Sequence, residues 1–333
     1  MTPATDVPSE PVKEPEPANP LDKFLTPAVR GMVLLNLGAA LFGSNQVIIK
    51  TSEELMSPTA LNALRFSAAA LCFVPMIPRA LKSVPLPSAM ELGCWLTLGY
   101  TFQAFGLSMT SASHGAFTGA FTVLTVPILI GLSGKEVGKT VWFSAAAALF
   151  GISLLTGDGG APNLGDLFCV ASAVLFGVHK WRGEAIVSGV SDAKSLVALQ
   201  LGILGLFSVG LAVPEIVDTV SQNGVSGTLE LSKALPWGDI LFMGVGTTAL
   251  TLYIEMEALK DVSAATAALI YTSEPIWGAA FAWVLLSERW GLQGWFGGAL
   301  VVAASVYSQL SGETEKLKYN PEEEAARRAI KDS

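Results

Sequence analysis

Charge is what this chain has least of. Only 14% of its 333 residues are Asp, Glu, Lys or Arg, where a soluble domain carries about a quarter. Three cysteines, Cys72, Cys94 and Cys169, all fall inside apolar runs without paired spacing, which argues against a disulfide framework or a thiolate metal site. The two histidines, His114 and His179, stand far apart with no carboxylate motif beside them. G-x-S-x-G, H-E-x-x-H and the nucleotide-binding P-loop are missing, so a nucleophile elbow, a zinc hydrolase and direct ATP drive find no support. No cofactor and no metal are expected. Half of the net charge of −8 sits in the two ends of the chain, and so much of it describes those tails.

What is present is apolar sequence: 51% of the residues are hydrophobic. The tail 1–29 is rich in proline and acid and cannot bury a core, so it reads as disordered. It has neither the apolar stretch of a signal peptide nor the basic, acid-poor character of a transit peptide. From Arg30 onward, apolar segments follow at 31–49, 59–79, 89–108, 112–133, 140–157, 164–186, 195–214, 238–258, 262–286 and 291–310. Each is near the ~20 residues that carry a helix across a hydrocarbon core. Helices are the element that satisfies backbone groups there. The expectation is an all-α membrane protein of ten transmembrane helices, with a long loop at about 215–237 and a charged tail at 311–333. Lysine and arginine fall mainly on the side that holds both termini (Arg30, Arg79, Lys82, Lys135, Lys139, Lys194, Lys260), against Lys50, Lys233 and Arg289 opposite. That asymmetry places the tails in the cytoplasm, or in the stroma of a plastid.

The chain also matches itself. Ala40-Leu41-Phe42-Gly43 resembles Val174-Leu175-Phe176-Gly177 at an offset of 134, and Leu107, Ser111, Ala112, Ala116 and Glu136 match Leu259, Ser263, Ala264, Ala268 and Glu288 at 152. Five helices per repeat is an odd number, so halves 30–157 and 164–310 must cross in opposite senses. Inverted repeats of this kind mark secondary transporters.

Polar residues inside apolar segments are the candidates for a transport path, since each must find a partner or water. Glu274 stands beside Pro275 half-way along the ninth segment, a position that suits a pocket or gate and a proton exchanged during transport. Asn45 and Gln46 in the first segment match His179 and Lys180 in the sixth; cavity lining and helix packing are both open for Asn45 and His179. Lys180 and Arg182 read as snorkelling at a helix end. Gln103 matches Glu255, which has a bland alternative as an interfacial acid near Lys260. Thr118, Thr122, Tyr271 and Thr272 offer hydroxyls at cavity depth, although threonines also bond back to their own helix. His114 reads as interfacial and Arg65 as orienting a helix end or a neighbouring acid. Gly115-x-x-x-Gly119 has the spacing of a close helix crossing. Glu136 and Glu288 both fall at loops and read as helix caps, while Pro127 and Pro275 lie at unequal distances from Ser111 and Ser263.

These features together resemble the EamA type of the drug/metabolite transporter superfamily. The resemblance is carried by Asp261-Val262-Ser263-Ala264-Ala265, Glu274-Pro275, Leu286-Ser287-Glu288-Arg289, Gly294 and Gly297-Gly298, with Gly165-Asp166-Leu167 opening the sixth helix. The run Trp277–Trp283 is similar to plant and algal plastid members. Membership implies both termini cytoplasmic, a central cavity lined by helices one, three, four, six, eight and nine, and alternating access. It leaves the cargo open. Scarce positive charge at mid-depth argues against phosphorylated cargo, which wants two or more cations, and favours a neutral or zwitterionic metabolite. The expected partners are a small-molecule substrate, the lipid bilayer and, as an option, a second copy in a homodimer, with no nucleic acid. The plastid envelope is the expected membrane in a photosynthetic eukaryote and the plasma membrane elsewhere. A membrane-embedded enzyme and a non-transporting receptor or scaffold are the alternatives.

Overall fold

The structure is a computed structural model that describes residues 26–52, 55–110, 118–156, 163–285 and 291–311, with Asn320 and Glu322. His114, Gly115 and Glu288 lie outside the described residues, as does the side chain of Gln46. The described chain is helical throughout. In order the helices are α1 (Pro27–Ser52), α2 (Pro58–Ser83), α3 (Leu86–Leu107), α4 (Thr122–Leu132), α5 (Lys139–Thr156), α6 (Leu164–Val187), α7 (Ala193–Lys233), α8 (Trp237–Ala258), α9 (Ala264–Tyr271 and Glu274–Leu285) and α10 (Leu292–Ser311). Five of them, α1, α2, α6, α7 and α8, are long and apolar enough by themselves to cross a membrane.

The helix starts have local causes. Ser57 accepts from Ala60 N–H at 3.1 Å just ahead of Pro58, which fits the first turn because it has no N–H to satisfy. Asn163 and Asp166 form a reciprocal capping box at α6, and Ser263 accepts from Thr266 N–H ahead of α9. In α2, Pro75 and Pro78 coincide with a tighter turn at Val74–Met76 that splits the helix.

Three elements depart from the sequence expectation. The stretch after residue 214, expected as a loop, continues α7 as helix to Lys233. Pro214 does not end it, but at Gly224 the backbone leaves the helical region, with a φ of 68° that suits a residue without a side chain, so two helical stretches meet there at a kink. Segment 262–286 is two half-helices separated at Thr272-Ser273, so Glu274 opens the second half instead of lying in mid-helix. The fourth segment is interrupted by a turn at Ala120-Phe121, 152 residues before the break in α9. The two breaks thus keep one register although Pro127 and Pro275 do not: Pro127 is buried inside α4, and Pro275 is the second residue of its half-helix.

Helices α1 and α9 cross at Gly43, where a methyl group would fall 2.5 Å from Trp277 Cβ and 2.7 Å from Gly278 N. Helices α6 and α4 cross at Gly177, where it would fall 2.5 Å from Thr125. Gly43 and Gly177 differ by 134, Trp277 and Thr125 by 152, the two offsets of the internal match. Outside these helices α2 pairs with α7 and α5 with α10.

The buried apolar core is concentrated at one end. It takes in Val84 between α2 and α3, Ile130 near the end of α4, Val187 and Ala193 flanking the α6–α7 connection, and Leu259 and Val262 between α8 and α9. This is the end at which α1 begins and α10 stops, and we call it the terminal end. Towards the opposite end the packing between α2 and α8 is a small cluster of Leu61, Ile240 and Met243.

Two stability effects follow. Gly43→Val and Gly177→Val should each cost about 1–3 kcal/mol through forced displacement of the crossing helix, read as a lower thermal midpoint in detergent. Gly210→Ala, where nothing lies within 4 Å of the new methyl group, should be neutral or stabilising. At the α6–α7 connection Asp192 caps α7, accepting from Lys194 N–H at 3.1 Å and Ser195 Oγ at 2.8 Å. Burial raises its pKa, but these bonds and Arg79 outweigh that and hold the carboxyl below its ordinary value. Its stabilisation is therefore present above the ordinary carboxylate range and lost as pH falls through the depressed value. Asp192→Ala should cost about 1 kcal/mol at neutral pH, and the gap to the parent chain should close in acid.

Candidate functional site

A central cavity of about 170 Å³ lies between α1, α3, α4, α6, α8 and α9. These are the six helices that the family resemblance implied. Its lining pairs residues across the internal match: Phe42 with Phe176 and Asn45 with His179 at 134, and Leu96 with Thr248, Tyr100 with Leu252 and Gln103 with Glu255 at 152. The turns of α4 and α9 add Gly119 with Tyr271, Ala120 with Thr272 and Thr122 with Glu274, again at 152. Both halves of the chain therefore present the same register to one space.

The polar groups concentrate towards the terminal end. Glu255 is 4% exposed and forms an ion pair with Lys180, whose ammonium also lies 4.1 Å from the centre of the Tyr271 ring. His179 Nδ1 stands 3.6 Å from the other Glu255 oxygen, and its Nε2 shares a 2.9 Å hydrogen bond with Gln200 Oε1 of α7. The glutamate thus faces two nitrogen-bearing side chains from neighbouring positions on α6, and an aromatic face covers the cation. A buried charge left single would be costly; here opposite charges and hydrogen bonds offset the desolvation.

This corrects two expectations. Lys180 does not snorkel: it is buried, and its charge is matched inside the cavity wall. Glu255 does not pair with Lys260, which instead meets Glu257 at 3.1 Å. Arg182, by contrast, reaches outward to Glu91, with Nη2 3.0 Å from Oε2. Positive charge is therefore present in the wall of the central cavity, at Lys180.

The other candidates divide clearly. Asn45 lines the cavity and accepts from Thr247 Oγ1 at 2.8 Å. Gln103, Thr122, Tyr271 and Glu274 also line it, Thr122 donating to Gly119 O at 3.0 Å and Ala173 O at 3.1 Å. Thr118 is buried against the Cys169 thiol and is not part of the lining. Gly119 does not sit at a close crossing, since nothing lies within 4 Å of where its methyl group would be; it faces the cavity instead. Glu136 is exposed in the α4–α5 connection, away from the site. Arg65 lies behind Tyr100, its guanidinium 4.4 Å from the Phe66 ring centre and 5.3 Å from that of Tyr100, beside a small side cavity that shares Gln103 with the central one.

Sequence reasoning passed over Tyr100, Ser172, Cys169, Thr248, Thr251 and Gln200. Tyr100 and Thr248 were within reach, because each matches another lining residue at 152. Gln200 could be suspected as the lone amide of an otherwise apolar stretch of α7, but nothing in sequence ties it to His179.

Helices of membrane-spanning length pack around a polar cavity, as in a multi-pass membrane protein, and the transporter reading comes from the comparisons with known proteins. Residues 163–308 match the EamA-like transporter family. An uncharacterized transporter of Archaeoglobus fulgidus is 27% identical over 278 residues, covering 83% of this chain and 84% of that protein. The uncharacterized transporter YcbK of Bacillus subtilis is 23% identical over 282 residues, covering 80% and 88%. A solved crystal structure, 16% identical, shares the fold with a TM-score of 0.67 over 86% of this chain and 99% of its own. Residues 163–308 of the chain thus carry an EamA-like transporter domain, and most of its length is similar to proteins named as transporters.

The ion pair makes its own prediction. Lys180→Met and Glu255→Gln should each destabilise the protein, the first by on the order of 3–5 kcal/mol because it strands a buried carboxylate. The double variant should recover part of that loss, seen as a coupling term in a double-mutant cycle of thermal midpoints.

Proposed function

We propose that this transporter carries a small zwitterionic or neutral polar metabolite by alternating access between two inverted five-helix halves. The supporting observation is the cavity lining: residues matched at 134 and 152 face one another across a single space, as an inverted pair of repeats would arrange them. The cavity of about 170 Å³ lies below the ~300–1,000 Å³ of drug-sized sites, which favours a compact cargo. Lys180 and Glu255 offer one charge of each sign. A cargo with both charges can pair with each in turn, whereas a singly charged cargo would leave one partner stranded. A phosphorylated cargo wants two or more cations, and among the described lining residues Lys180 is the one cation.

Lysine and arginine favour the terminal end as the cytoplasmic or stromal side, which makes the present form closed to that compartment. Glu274, half-buried in the cavity wall, is the candidate for proton coupling. The plastid envelope of a photosynthetic eukaryote, or otherwise the plasma membrane, is the proposed location.

The test is uptake by purified protein in vesicles across a panel of amino acids, neutral metabolites and sugar phosphates, with pH gradient and counter-substrate varied. Saturable uptake of a small zwitterion or neutral compound is expected, lost in Glu255→Gln. Glu274→Gln should still carry cargo but lose its response to a pH gradient. Preference for sugar phosphates would overturn the cargo assignment. Uptake of nothing in the panel would favour a membrane-embedded enzyme or a receptor.

A further inference from the structure

The two ends of the cavity are lined by matched positions with different chemistry. At the terminal end, His179 of α6 meets Glu255 of α8, Lys180 completes an ion pair, and Tyr271 lies beneath the ammonium. The positions matched to His179, Glu255 and Tyr271 are Asn45 of α1, Gln103 of α3 and Gly119, and all three line the same cavity. The crossings that hold these helices are matched as well, Gly43 on Trp277 and Gly177 on Thr125. If the halves exchange conformations, α1 must approach α3 as α6 now approaches α8.

We infer that Asn45 and Gln103 form the gate that closes the opposite end of the cavity when the terminal end opens. The inference rests on the alternating-access reading above. It adds that the two gates are unequal: one is an ion pair roofed by an aromatic ring, the other a pair of amides with an open space at Gly119. In the present form Asn45 already has a partner in Thr247, so forming the amide gate exchanges hydrogen bonds for hydrogen bonds at small net gain. Opening the ionic gate separates two buried opposite charges, which costs far more. The resting population therefore favours the form sealed at the terminal end, and weakening the ion pair moves it towards the form sealed by Asn45 and Gln103.

The test needs no knowledge of the cargo. In full-length protein with Cys72, Cys94 and Cys169 replaced by serine, Asn45→Cys and Gln103→Cys are introduced together and treated with a short bifunctional thiol reagent in lipid vesicles. Slow cross-linking is expected in this background, accelerated roughly tenfold or more when Lys180→Met is added. Glu255→Gln removes the other partner and gives the same reading if the Lys180 variant does not purify as a single species. Cross-linking at the same rate with and without the ion pair, or none in any folded variant, overturns the gate. Loss of the gate alongside positive uptake leaves the transport reading standing; accelerated cross-linking with no uptake in the panel leaves the gate and removes that reading.

Discussion

The bundle depends on how closely its helices cross at Gly43 and Gly177. In lipid no solvent drives helices together, so close approach comes from small residues that let backbones touch. At both crossings a single methyl group would collide with the facing helix. Because α1 lies on α9 and α6 on α4 in this way, Phe42 and Phe176, each one residue before a crossing glycine, are both held in the cavity wall. The cavity is the space left when these two matched crossings are satisfied together.

Dense apolar packing at the terminal end is a second feature of the bundle. The large buried side chains gather where the helices are tied by the α2–α3, α6–α7 and α8–α9 connections. Backbone termini then lie near the polar space: α9 is interrupted at Thr272-Ser273, a turn at Ala120-Phe121 precedes α4 in the same register, and Thr122 and Glu274 open the helices that follow. Irregular backbone at such depth is tolerated where it lines a cavity or is buried in protein. The matched glycine and tyrosine, Gly119 and Tyr271, show how one scaffold serves two ends differently: one leaves space, and the other covers a cation.

Much of this was legible in the sequence, in specific places. The Leu-Phe-Gly match between helices one and six was read only as a sign of the repeat; that it holds two cavity aromatics and two crossing glycines emerges from the fold. The match of Gln103 with Glu255 likewise predicted positions that share the cavity. The partner of Glu255 was not legible: Lys180 is 75 residues away, and near a helix end a lysine reads as snorkelling until the fold places a carboxylate beside it. The helical structure from Glu215 to Lys233 escaped because its polar composition resembles a loop, and its one non-helical residue, Gly224, makes a kink with helix on either side. Gly119 misled in the other direction, since the Gly-x-x-x-Gly spacing reports small residues on one helix face and says nothing about what faces them.

The Lys180–Glu255 pair has an electrical property that follows from its composition. Held together, Lys180 and Glu255 cancel and present no net charge to the membrane field. Drawing them apart moves charge through that field, worth about 2.3 kcal/mol per elementary charge per 100 mV, so the leverage of the membrane potential begins only when the two side chains separate.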